Sequence, residues 1–174
     1  LNAALARRLA GPGELDLIHR QQAALESMAN LLNALLDITK LESGNIRPNL
    51  EVVPVADVLA DLQQQFEAVA TSRNLALTIA PTSLCLRTDR ILFRQDLQNL
   101  LNNALQYTRE GGVTVSFGED ATGFSIRMAG TGVGIPAPEL DRVFDEYCRL
   151  GATGPRPRGF GLGLPICRAI ATAH

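Results

Sequence analysis

The sequence has no tryptophan, and aromatic residues make up only 5% of its 174 positions. Reading single-stranded nucleic acid by stacking is therefore a poor match for this chain. It also lacks an excess of one charge: sixteen Lys+Arg stand against eighteen Asp+Glu, a net charge of −2. That balance argues against a strongly basic face for nucleic acid, while leaving room for a local patch. The three cysteines, Cys85, Cys148 and Cys167, form no CxxC and have no histidine pair nearby. That argues against a disulfide framework and a structural zinc site, and fits a reducing cytosol. No apolar run approaches the roughly eighteen residues that a membrane span requires, and the first residues do not read as a signal peptide. What remains is a composition 46% hydrophobic and 20% charged, enough to bury a core.

The chain changes character near residue 45. Residues 14–42 contain no Pro or Gly, and Leu25, Met28, Leu32, Leu35 and Thr39 recur at spacings of three and four. This predicts a helix of about thirty residues with a two-faced apolar seam, far longer than the average helix of about eleven. Gly11-Pro12-Gly13 breaks the chain before it, so residues 1–9 read as the end of an earlier helix and the pair as an antiparallel hairpin. Two such hairpins would bury the remaining seam as a dimeric four-helix bundle; the alternative is one long surface helix on a monomer. Ser43-Gly44-Asn45 closes the helix.

From Asn49 onward strands are expected over 50–53, 75–79, 84–86, 113–117 and 124–128, the last two as a hairpin. Helices are expected over 55–69 and 89–107, with a short one around 140–144 and a final one from Leu162. The expected fold class is α+β: a helical hairpin followed by an α/β sandwich with a mixed sheet packed on helices. The expected division is a partial hairpin over 1–46 and a second domain over 47–174.

Three segments carry candidate chemistry. On the 89–107 helix, Gln95, Asn99 and Asn103 lie four apart on one face, while Leu97, Leu101, Ala104 and Leu105 lie on another. Asparagine gains little from a helix interior or a dry core. A file of amides can present carbonyl oxygens to a hard cation and N–H groups to phosphate, or it can be an ordinary solvated face. Gly130-Thr131-Gly132-Val133-Gly134-Ile135-Pro136 would let a ligand approach the backbone closely, although most Gly-rich turns bind nothing. Gly159-Phe160-Gly161-Leu162-Gly163-Leu164 opens the last helix, where bare N–H groups and the dipole favour an anion. Arg156 and Arg158 stand just upstream.

In this order and at these separations the segments resemble the sensor histidine kinases of two-component signalling. Asn99-Leu100-Leu101-Asn102-Asn103-Ala104 is similar to that family's N box, and 130–136 to its G1 box. Val143-Phe144-Asp145-Glu146-Tyr147 resembles the F box and 159–164 the G2 box. Residues 35–44 resemble the second helix of the family's dimerisation and phosphotransfer hairpin. The resemblance implies ATP and Mg²⁺ as cofactors, with Asn103 and Asn99 as metal ligands or phosphate contacts. It implies Gln106, Tyr107, Gly130, Gly132 and Gly134 around the nucleotide, Arg158, Gly159, Gly161, Leu162 and Gly163 on the phosphate side, and a lid over 149–160. The γ-phosphoryl would be transferred in line by positioning and charge neutralisation. Implied partners are a second copy of the chain, through the N-terminal helices, and a response-regulator receiver domain. No nucleic acid and no membrane segment in this stretch are expected, and the implied location is cytoplasmic.

The sequence departs from the family at several positions. The acceptor histidine is expected a few residues before Leu1, with His19 and His174 as ordinary helical residues. Gly130 stands where the family usually carries an aspartate that reads the adenine amino group, and Glu119 or Asp120 are candidate replacements by sequence proximity alone. Gln106 replaces a lysine aimed at phosphate, which Arg109, Arg156 or Arg158 would offset. The family fold also implies further strands after His174. Hydrolytic relatives carry a glutamate where Asn99 stands, and an amide cannot act as a general base, which favours phosphotransfer over hydrolysis. The alternatives are a pseudokinase scaffold of the same fold with a degenerate ATP site, and a simple ATPase.

Overall fold

A computed structural model of the chain describes residues 48–120, 123–148 and 161–173, together with Leu17, Gln21, Leu25, Met28 and Leu32. The last five are helical and exposed, at spacings of four and three. The rest of the expected hairpin, the Gly44 stop included, lies outside the described residues.

The described elements run β1 (Glu51–Pro54), α1 (Val55–Ser72), β2 (Ala76–Ile79), β3 (Cys85–Thr88), α2 (Arg90–Tyr107), β4 (Gly112–Asp120), β5 (Gly123–Gly130) and α3 (Gly163–Ala173). Two 3₁₀ turns, Ala137–Glu139 and Arg142–Phe144, replace the single short helix expected around 140–144. Pro136 leads into the first of them, and each turn closes after three residues.

The strands form two sheets. β1 and β3 make an antiparallel pair, while β2, β4 and β5 form a mixed sheet in which β2 runs parallel to β4 and β5 antiparallel to it. Side chains alternate across a strand, so Val113 and Val115 of β4 point inward at no more than 1% exposure. They meet Val58, Leu59, Leu62 and Phe66 of α1 and Leu97, Leu101 and Leu105 of α2 in one core. This is the expected α+β arrangement of a mixed sheet packed on helices.

The helix that carries the amides is held at both ends. Asp89 caps its start: Oδ1 accepts from the N–H groups of Ile91 (2.9 Å) and Leu92 (3.1 Å), and Oδ2 accepts from the Asn49 N–H (2.8 Å). At the other end the last carbonyls of a helix lack intrahelical partners. Arg73, just past α1, donates to Leu105 O (2.6 Å) and Gln106 O (3.4 Å), and Thr108 Oγ1 donates to Ala104 O (2.7 Å). The register and tilt of α2 are thereby tied to α1 and to the segment entering β1. Helix α3 packs on α2 through a smaller cluster of Leu162, Ile166 and Ile170 against Leu92. Arg168 of α3 lies 5.8 Å from the Phe144 ring centroid, linking α3 to the second 3₁₀ turn. Among the described residues no helix is long and apolar enough to cross a membrane.

Candidate nucleotide site

The apolar face of α2 is spent on the core, so its opposite face is free to meet something else. Asn99 and Asn103 lie there, half-buried, one turn apart. Their neighbour is the first residue of α3. A Cβ built on Gly163 would lie 3.5 Å from Asn103 Nδ2, 3.9 Å from Asn103 Oδ1 and 3.9 Å from Asn99 Cβ. Gly163, which carries no side chain, is thus the residue of α3 that meets the Asn103 amide and the Asn99 Cβ. Asn99 Nδ2 is buried and makes no conventional hydrogen bond, although the Asn99 side chain also interacts with the Cys167 thiol of α3. A buried amide donor left unpaired costs about 1–3 kcal/mol, and an anion oxygen supplied by a ligand would relieve that cost.

Asp96, one turn before Asn99, faces a different group. It neighbours the Cys167 thiol of α3, whose Sγ lies 3.7 Å from Asp96 O. Burial, and then the hydrogen bond and charge of Asp96, push that thiol far above its ordinary value. Cys167 is thus a neutral packing residue between the helices, not a nucleophile.

The first glycine stretch follows β5 and lies against the C-terminal end of α2. Gly130 pairs with Val113 across the sheet, and a Cβ there would approach Thr108 Oγ1 to 2.8 Å. Gly132 rests on the Tyr107 carbonyl so closely that a Cβ would collide with backbone. Thr131 holds the turn: its Oγ1 donates to Glu110 O (2.6 Å) and accepts from the Gly112 N–H (3.1 Å). Gly134, with φ +68°, has nothing within 4 Å of its Cβ position, so its backbone faces open space. Val133 and Ile135 on either side are 77% and 44% exposed. Thr108 and Thr131 were missed as site residues in the sequence; the signal for Thr131 was its place between two glycines.

The second stretch is described only from Gly161. That glycine adopts φ +73°, a conformation side chains disfavour, and its Cβ position falls 2.6 Å from Cys148 O. The Tyr147 N–H donates to Gly161 O (3.1 Å), so Cys148 and Gly161 lie side by side. Leu162 turns its side chain into the α3 cluster, 3% exposed, and offers the site only its main chain. Arg158, Gly159 and the expected lid over 149–160 lie outside the described residues, as does Arg156. The half-buried Gln106 meets Arg73 through its carbonyl, and Tyr107 is 43% exposed.

Glu119 and Asp120 do not replace a carboxylate at Gly130. Asp120 pairs with Gly123, at the opposite end of the β4–β5 ladder from the Val113–Gly130 pair. At about 3.4 Å per residue that is roughly 20 Å or more. Sequence proximity is misleading here because the hairpin carries the two positions to opposite ends of the sheet.

The residues present suit a magnesium nucleotide. Among the described residues no cluster of three or more His, Cys, Asp or Glu side chains could hold a metal. Mg²⁺ bound to phosphates needs only one or two protein oxygens and keeps several waters, which the paired amides can satisfy. The orphaned Asn99 Nδ2 then suits a phosphate oxygen.

Comparison with known proteins shows the family. The sensor protein EvgS of Escherichia coli strain K12 is 32% identical over 164 residues, covering 90% of this chain and 14% of that protein. The adaptive-response sensory kinase SasA of Parasynechococcus marenigrum strain WH8102 is 32% identical over 179 residues, covering 99% of this chain and 46% of that protein. The chain thus spans less than half the length of these relatives. The Acinetobacter baumannii histidine kinase AdeS shares the fold at a TM-score of 0.77 and 22% identity, covering 98% of this chain and 79% of that one. A family model for histidine kinase-, DNA gyrase B- and HSP90-like ATPases matches residues 88–174. That span begins at the end of β3 and takes in the amide-bearing helix and both glycine stretches. The chain therefore belongs to this family of histidine kinase-, DNA gyrase B- and HSP90-like ATPases.

Proposed function

We propose that the chain binds Mg–ATP between α2, α3 and the 130–135 loop, and donates its γ-phosphoryl group to a histidine on a helical hairpin, from which it passes to a response-regulator aspartate. The observation that carries this reading is the meeting of the bare first residue of α3, Gly163, with the Asn103 amide and the Asn99 side chain on the face of α2 opposite the core. Asn103 Oδ1 would hold the metal, which supplies charge neutralisation at the phosphates. Asn99 Nδ2 would donate to a phosphate oxygen, helped by the main-chain N–H groups and dipole at the start of α3. The 130–135 backbone, with exposed Val133 and Ile135, would take the base and ribose.

Position 99 holds an amide, which cannot deprotonate water. The site therefore positions a phosphoryl donor without a base at that point, which favours transfer to a protein nucleophile over hydrolysis. The helical positions Leu17, Leu25, Met28 and Leu32, each more than half exposed, form an apolar stripe suited to a second copy of the chain. On this reading residues 1–46 belong to the hairpin and 47–174 to the catalytic domain, and the protein works in the cytoplasm.

A titration with a fluorescent ATP analogue tests the proposal. Saturable binding that requires Mg²⁺ and is lost in Asn103→Ala is expected. No saturable binding at millimolar nucleotide would overturn it in favour of a scaffold of the same fold, the reading that the bare Gly130 and the uncharged Gln106 would then support.

A further inference from the structure

The last four carbonyls of a helix have no partner within it, and in α2 these belong to Ala104, Leu105, Gln106 and Tyr107. Each is met from outside the helix. Thr108 Oγ1 donates to Ala104 O at 2.7 Å, and Gly132 of the first glycine stretch packs on Tyr107 O. The two carbonyls between them are held by one side chain from another element. Arg73 donates from Nη1 to Leu105 O (2.6 Å) and from Nη2 to Gln106 O (3.4 Å). The last turn of α2 has no basic residue of its own, so Arg73 also supplies the positive charge that the negative end of a helix dipole favours. A guanidinium suits this place because its planar fork spans two successive carbonyls, whereas an ammonium is a single point charge.

The turn held in this way closes on Asn103. By helix geometry the Tyr107 N–H donates to the Asn103 carbonyl, so fraying of the last turn, where helices fray first, would release Asn103 itself. Arg73 can resist that because its own main chain is fixed. It caps α1 with its N–H on Ala70 O (3.0 Å), and Leu75, 6% exposed, donates to the same carbonyl (2.9 Å). Ala76 then donates to Gly111 O (2.9 Å), and the next N–H along, that of Gly112, goes to Thr131 Oγ1 (3.1 Å). The Arg73 turn is thus joined to the 130–135 loop by two routes, through the end of α2 and through the start of β4. We infer, resting on the nucleotide-site reading given under Proposed function, that Arg73 is a positioning residue for the bound magnesium nucleotide: without touching the ligand, it holds the Asn103 amide and the 130–135 loop in register with each other.

Titration of the full chain with a fluorescent ATP analogue and Mg²⁺, in Arg73→Met and Arg73→Lys, tests this. Asp89→Ala, which removes the cap at the other end of the same helix, serves as the stability control, and urea unfolding checks that each variant is folded. Methionine keeps an apolar stem and loses the fork. Its dissociation constant should rise about tenfold, the low end of what losing the support of a metal ligand costs. Lysine, reaching one carbonyl at a time, should fall between methionine and the parent. Asp89→Ala should lose stability yet bind within about twofold of the parent, because a cap at that end acts on folding alone. In nucleotide-free protein the Asn103 side-chain NH₂ resonance should shift in Arg73→Met and stay in place in Asp89→Ala. Parental affinity in folded Arg73→Met, or an equal loss of affinity in Asp89→Ala, would overturn the role of Arg73 and leave the nucleotide site standing. If Arg73→Met does not fold, Arg73→Lys decides, and parental affinity there overturns the inference. Failure of the parent chain to bind the analogue would instead overturn the site reading, and this inference with it.

Discussion

Replacing Gly163 with alanine should separate binding from folding. A Cβ at this position sits 3.5 Å from Asn103 Nδ2 and 3.9 Å from both Asn103 Oδ1 and Asn99 Cβ. These are ordinary van der Waals separations, so the methyl group fits without moving backbone. Alanine also favours helix over glycine, by up to about 1 kcal/mol in a helix interior and less at a first turn. Stability should therefore hold or rise slightly. Binding should not survive as well, because the methyl lies 3.9 Å from Asn103 Oδ1, the oxygen proposed to hold the metal, and takes room that a hydrated Mg²⁺ would use. Losing one such polar contact costs about 1–3 kcal/mol. That is roughly a five- to hundredfold weaker dissociation constant. Nucleotide titration and urea unfolding of the same preparation measure both quantities. Wild-type affinity in a stable Gly163→Ala chain would refute the claim that ligand enters between α2 and α3.

Removing the Asp89 carboxylate by Asp89→Ala should cost about 1–2 kcal/mol by urea unfolding, since it caps Ile91 and Leu92 and holds the Asn49 N–H; an unchanged midpoint would show that the cap is idle. The thiols should label in order of burial, exposed Cys85 promptly and buried Cys167 only on unfolding, and prompt labelling of Cys167 would contradict the packing of α3 on α2. Cys167 also predicts an alkaline loss of stability. Its folded value is raised above the ordinary 9.0, first by burial and then by Asp96, so the unfolded chain releases the proton first. Its contribution is complete below pH 9.0 and is lost as pH rises above it. The stability difference between wild type and Cys167→Ala should shrink there by up to about 1.4 kcal/mol per pH unit, and a constant difference would contradict the assignment.

Much of this arrangement was legible in the residues because it obeys local rules. The four-residue recurrence of Leu97, Leu101 and Leu105 fixed the core face of α2, and with it the opposite face for Asn99 and Asn103. The helix expected over 89–107 begins where Asp89 caps it, and the alternation in 113–117 marked a half-buried strand. Contacts between distant parts of the chain left no such mark. Arg73 holds the end of α2 from 32 positions away, and the parallel pairing of β2 with β4 bridges an entire helix. Gly130, Gly132 and Gly163 read alike as flexible glycines, yet the structure distinguishes them. The first lies over a hydroxyl, the second against a carbonyl, and the third beside two asparagine side chains. Which neighbour a missing side chain makes room for depends on packing between elements, and the local sequence does not encode it.

The most direct measurement is nuclear magnetic resonance of the side-chain amides as Mg–ATP is added. The Asn99 and Asn103 NH₂ signals should move together and saturate with nucleotide, with little movement when Mg²⁺ is withheld. Stationary signals from both amides, while other parts of the chain respond to bound nucleotide, would mean that the cleft lies elsewhere.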